Sequence, residues 1–171
     1  HHEVVTALLA ANATVDLAEN DGATPLLVAA QNGHHEVVTA LLAANATVDL
    51  AENDGATPLL VAAQNGHHEV VTALLAANAT VDLAMNIGAT PLFVACQFGH
   101  DNIARFLIER DADIEIPMRE NGWTPLCVAA WAGSESVVSV LLSAGANAKA
   151  ATTAEHEGLP AGSVSYTHLT L

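Results

Sequence analysis

No lysine or arginine occurs before Arg105, and no aromatic residue occurs before Phe93. The 171 residues hold 4 basic side chains against 19 acidic ones, a formal net charge of −15. Nucleic-acid binding draws on cations that displace phosphate counterions, so nucleic acid is excluded as a partner. An anionic membrane surface is disfavoured on the same grounds. A protein with a basic or an apolar surface is the partner that fits. Cysteine is scarce too: Cys96 and Cys127 are too few for a disulfide framework. Both sit in apolar helical stretches, where a free cysteine acts as a small hydrophobe. No apolar run reaches the roughly 18–20 residues of a membrane span.

What the chain does have is repetition. Residues 1–33 and 34–66 are the same sequence, and residues 67–84 begin a third copy. A fixed period of 33 residues marks a repeat architecture. Each unit holds two short apolar stretches and no core of its own. Units must therefore stack, and the predicted fold is an all-α repeat solenoid.

The unit running from Asp54 to Asn86 can be read residue by residue. Gly55 supplies a permissive turn. Thr57 and Pro58 open a helix, the hydroxyl as cap and the proline at the first helical position. Leu59 to Ala63 continue it, and Asn65-Gly66 close it. A second helix is predicted from Glu69 to Ala77, with Val70, Val71, Leu74 and Leu75 as its apolar stripe. Asn78 stands where a closing glycine is expected. The alternation in Thr80-Val81-Asp82-Leu83 predicts an extended, hairpin-like finger.

Gly22-Ala23-Thr24-Pro25-Leu26 recurs in related form at Gly55, Gly88 and Gly122, and Gly33-His34-His35-Glu36-Val37-Val38 with Leu41-Leu42 recurs from Gly66. This pattern resembles the ankyrin repeat, over residues 1 to about 151. The resemblance implies antiparallel helix-turn-helix units with hairpin-like fingers roughly perpendicular to them, lining a concave binding groove. One departure is systematic. The family usually carries His after Thr-Pro-Leu, where this chain has Leu27, Leu60, Phe93 and Cys127. That implies a preserved fold with one hydrogen-bond tie fewer between helix starts.

The register predicts a half unit at 1–20 and units at 21–53, 54–86, 87–120 and 121–153. One extra residue in the third is expected to bulge the finger around Ile116-Pro117. The chain opens inside a repeat without an initiator Met and reads as a fragment, so a targeting signal on its parent would be out of view. The half unit leaves an apolar helix face without its own partner. Residues 154–171 leave the period and read as a disordered or artefactual tail.

Several candidate sites dissolve on inspection. The pairs His1-His2, His34-His35 and His67-His68 suggest a metal ladder. Stacked helices lie about 8–10 Å apart and a zinc–nitrogen bond is about 2 Å, so these are helix-start histidines and no metal site is expected. Asn12, Asn45 and Asn78 fit glycosylation sequons but read as helix-closing residues. The finger acids Asp49, Glu52, Asp54 and Asp82 lack the pocket that acid–base catalysis needs. They read as a solvated edge that steers a basic partner. Residues 1–86 carry ten acids and no cation, a formal −10, against −5 for residues 87–171.

The aromatics carry the sharpest signal. By register Phe98 and Trp131 end first helices and Trp123 precedes a Thr-Pro start, positions that line the concave face in ankyrin complexes. Trp is enriched at binding hot spots. The expected contact centre is Ile87, Phe98, Arg119, Trp123 and Trp131. Phe93 and Phe106 read as core. No nucleophile elbow, phosphate loop or Cys/His metal spacing occurs, so no enzyme activity and no cofactor are expected in this chain. A monomeric, intracellular, cytoplasmic protein–protein interaction module of a scaffold or adaptor is the reading. Its alternatives are a targeting segment of an enzyme catalytic elsewhere and a structural spacer.

Overall fold

The computed structural model describes residues 2–149, and the tail at 154–171 lies outside the described residues. Nine helices and no strand occur among them. Helix α1 (His2–Ala10) stands without a paired first helix. Four pairs follow: α2 (Pro25–Gln31) with α3 (His35–Ala43), α4 (Pro58–Gln64) with α5 (His68–Ala76), α6 (Pro91–Gln97) with α7 (Asp101–Ile108), and α8 (Pro125–Trp131) with α9 (Glu135–Ser143). The short helices α2, α4, α6 and α8 pack in one row, and α1, α3, α5, α7 and α9 in a second. The fold is an all-α repeat solenoid of stacked helix pairs.

Each short helix starts as its sequence dictates. The buried Thr57 holds an extended backbone, and its hydroxyl oxygen accepts the Leu60 N–H at 3.2 Å. Thr24, Thr90 and Thr124 do the same for Leu27, Phe93 and Cys127. Each cap is thus complete within its own helix start. Asn78 ends α5 at φ 64°, and the following Ala79 N–H reaches back to the Leu74 carbonyl at 3.0 Å, a left-handed closure that asparagine tolerates better than most residues.

The core is a continuous seam between the rows, including Leu26, Leu59 and Leu92 from the short helices and Val38, Val71, Leu74 and Ile103 from the longer ones. Leu41 and Leu74 are buried as the stripe predicts, but Leu42 and Leu75 are only half-buried. Leu75 sits about 100° further round the helix than Leu74, which moves it to the edge of the packed face. Phe106 is also half-buried rather than enclosed: its ring lies 5.2 Å from that of His68, and the Arg110 guanidinium covers it at 4.5 Å.

The fingers are chains of turns rather than paired strands. Met85 N–H bonds to the Ala89 carbonyl at 2.9 Å, closing a tight turn. The equivalent bond in the next finger joins Met118 N–H to the Trp123 carbonyl at 2.8 Å, one residue wider. Asn121 caps that turn through the Trp123 N–H as Asp54 caps its own through the Ala56 N–H. The extra residue is therefore Glu120, at the tip of the turn, and not in the Ile116-Pro117 stretch where the sequence suggested it.

Candidate partner-binding face

Two tryptophans meet at the C-terminal end of the short-helix row. Trp131 ends α8 and Trp123 stands two residues before its Pro125 start, with the ring centroids 5.9 Å apart and tilted by 58°. A Trp side chain leans back toward the N-terminus of its helix, which lets one end of a seven-residue helix reach the other. Trp123 packs half-buried on the core, whereas Trp131 is exposed. The pair thus presents one supported ring and one open ring. Phe98, the closing residue of α6, is 52% exposed in the neighbouring layer.

Ile87 and Arg119 belong to the fingers. Ile87 is exposed, and its carbonyl accepts the Arg119 N–H at 2.9 Å. The Arg119 guanidinium donates to the Asn86 carbonyl at 3.3 Å. Its side chain lies directly over Gly88, whose φ is 91°: a Cβ there would come within 2.7 Å of the Arg119 Cγ. The structure therefore joins Trp123 to Trp131 and Ile87 to Arg119, and the Met118–Trp123 bond links the two groups along the finger.

The acidic fingers do more than the sequence revealed. Asp49 accepts the Thr80 hydroxyl at 2.6 Å and the Thr80 N–H at 3.1 Å. Asp16 does the same for Thr47, and Asp82 accepts the Asp113 N–H. Each carboxylate ties one layer to the next. Burial raises the Asp82 pKa, with the Asp113 N–H pulling it back and the Asp113 carboxylate pushing it up further. Glu52 is raised by burial first, then by the neighbouring Asp54 and Asp21 carboxylates. Asp54 spends one oxygen on the Ala56 N–H at 2.8 Å.

Histidine supplies a second set of ties. His67 Nε2 donates to the Gln31 carbonyl and His100 Nε2 to the Gln64 carbonyl, both at 3.0 Å. These bridges connect layers that the missing Thr-Pro-Leu-His histidine was expected to leave looser. Among the described residues no three His, Cys, Asp or Glu side chains gather as metal ligands. Also overlooked was a row of exposed leucines, Leu17, Leu50 and Leu83, one on each finger. Their recurrence every 33 residues at an outward finger position was the available signal.

A family model for ankyrin repeats in three copies matches residues 1–87 and 78–152. The chain belongs to the ankyrin repeat family. Ankyrin repeats are generally protein–protein interaction modules, and domains of this kind are typically non-catalytic. No curated protein matches the chain. Among the described residues no helix is long and apolar enough to cross a membrane.

Proposed function

We propose that this chain is a protein-binding segment of a scaffold or adaptor, acting by surface complementarity. The observation that carries the reading is the Trp123–Trp131 pair with its open Trp131 ring. An exposed tryptophan held by a packed neighbour is a rigid anchor with little side-chain entropy left to lose on binding. Phe98, Ile87 and Arg119 extend the contact, and Asp49, Glu52, Asp54 and Asp82 bias approach toward a partner with a basic or apolar surface. Carboxylates that accept hydrogen bonds from neutral donors, as Asp49, Asp54 and Asp82 do, keep their charge and still contribute to the steering field.

The test uses the chain as bait, identifies the retained protein, and then measures its kinetics. Replacing Trp123 and Trp131 by Ala should speed dissociation at least tenfold, while Glu52→Gln with Asp54→Asn should mainly slow association. Unchanged dissociation in a double variant that retains its helical circular dichroism would move the contact centre elsewhere on the stack.

A further inference from the structure

Asparagine precedes glycine at three places, Asn32-Gly33, Asn65-Gly66 and Asn121-Gly122. A glycine leaves its backbone nitrogen sterically open to the carbonyl of the preceding side chain, and asparagine is among the thermolabile residues. The structure treats the three pairs differently. Asn32 and Asn65 close α2 and α4, and their side-chain amides donate to the Val28 and Val61 carbonyls at 2.8 Å. Their glycines are covered: a Cβ on Gly33 would lie 2.6 Å from the His67 ring, and one on Gly66 2.8 Å from the His100 ring. Asn121 and Gly122 are exposed at the finger tip, and among the described residues none beyond the chain neighbours comes within 4 Å of the same point on Gly122. The Asn121 amide is also used in the opposite sense, because its Oδ1 accepts the Trp123 N–H at 3.0 Å.

We propose that Asn121 is a self-modification site, a slow one-way switch that rebuilds the turn carrying Trp123. The Gly122 nitrogen attacks the Asn121 Cγ. A C–N bond forms, the Cγ–Nδ2 bond breaks, and the proton lost from Gly122 leaves with the side-chain nitrogen as ammonia. The Trp123 N–H, already on Oδ1, stabilises the negative oxygen that develops there. The Gly122 N–H must first leave the Met118 carbonyl, 2.9 Å away, a local opening at an exposed tip. Water then opens the cyclic imide. Cleavage at Cγ leaves aspartate; cleavage at the backbone carbonyl leaves isoaspartate, with the main chain routed through the former side chain. Aspartate fits the turn, because Asp54 holds the equivalent place and caps its own turn through the Ala56 N–H at 2.8 Å. It adds a negative charge to the finger. Isoaspartate lengthens the main chain by a methylene inside the turn that the Met118 N–H and the Trp123 carbonyl close at 2.8 Å. That draws Trp123 out of its place against Trp131, whose ring centroid is 5.9 Å away. The consequence for partner binding rests on the aromatic face being the contact; the chemistry does not.

The test keeps the full chain at pH 8.5 and follows it over weeks by peptide mapping with chromatography and mass spectrometry. The Asn121 peptide should gain about 1 Da at least tenfold faster than the peptides that hold Asn32 and Asn65, and should resolve into two products of equal mass. In denaturant the three asparagines should react at similar rates, since the fold no longer sets them apart. Trp123 and Trp131 are the chain's only tryptophans, so their emission reports the turn without any partner. It should shift as isoaspartate accumulates, while Asn121→Asp, which supplies the other product directly, should keep the parent spectrum. Asn121→Ser, which leaves an oxygen for the Trp123 N–H, should show neither the mass gain nor the shift. Asn121 reacting no faster than Asn32 and Asn65 in the folded chain would overturn the proposal. So would isoaspartate that leaves the emission unchanged, or a shift that persists in Asn121→Ser.

Discussion

Leu8, Leu41 and Leu74 occupy the same place in three helices of identical sequence, His-Glu-Val-Val-Thr-Ala-Leu-Leu-Ala. Changing each to Ala alters helix propensity equally, so differences in cost report packing alone. Leu74 is fully enclosed. Its removal should cost about 3 kcal/mol, within the range of transfer loss plus residual cavity. Leu8 is about half covered and leaves no enclosed cavity, so its cost should be about 1 kcal/mol from transfer alone. Urea unfolding reads the difference. With a slope of about 2 kcal/mol per molar, the Leu74→Ala midpoint should fall by about 1.5 M and the Leu8→Ala midpoint by about 0.5 M or less. Leu41→Ala should behave like Leu74→Ala. The slope must be followed as well, because repeat arrays can unfold in parts. Equal shifts for Leu8 and Leu74 with unchanged slopes would refute the reasoning, since burial would then not be what holds the layers together.

Three further outcomes follow from the same geometry. Asp49→Ala removes the carboxylate that accepts the Thr80 hydroxyl and N–H across two layers, and should cost about 0.5–1.5 kcal/mol in thermal or urea unfolding; no loss would reduce the tie to a surface contact. Glu52 has a raised carboxyl pKa in the fold. Its ionisation therefore weakens the native state as pH rises from near 4.5 through the folded value, and Glu52→Gln should gain stability over the parent at pH 7 but not at pH 4. A gain of equal size at both pH values would show that charge is not the cause. Cys96 is buried with its thiol pushed up to about 12. It should resist a thiol reagent at pH 8 until the chain unfolds, as judged by mass spectrometry of the labelled peptide.

Much of this molecule was legible because its determinants are local. A Thr-Pro pair sets each short helix within four residues, and the Asn78 closure needs only its own backbone tolerance. The period then specifies the stacking. The inter-layer ties were not legible: Asp49 meets Thr80 across 31 residues and His67 meets Gln31 across 36, and a pattern of 33 names neither pair. The half-burial of Leu75 and Phe106 was missed because helical periodicity gives a face but not its edges. The position of Glu120 was missed because an insertion slides freely in sequence until a hydrogen-bond register pins it. For the candidate binding face, sequence marked the tryptophans, while the pairing of their rings depends on side-chain direction over two turns of helix.

The ties also give the stack a mechanical grain. In the duplicated region each seam is stitched by a carboxylate with hydroxyl and amide donors, as at Asp49 and Thr80. Where the sequence has drifted, Asp82 meets an aspartate instead of a threonine, and the histidine series gives way to Ser134, which packs on Gly99 in the place where His67 and His100 cover Gly33 and Gly66. A chain pulled from its two ends would therefore not part at random. The layers joined by Asp49 and Thr80 would tend to travel as one block, while α1, which has no buried residue, and the seam where Asp82 lacks a threonine hydroxyl would be the first to yield.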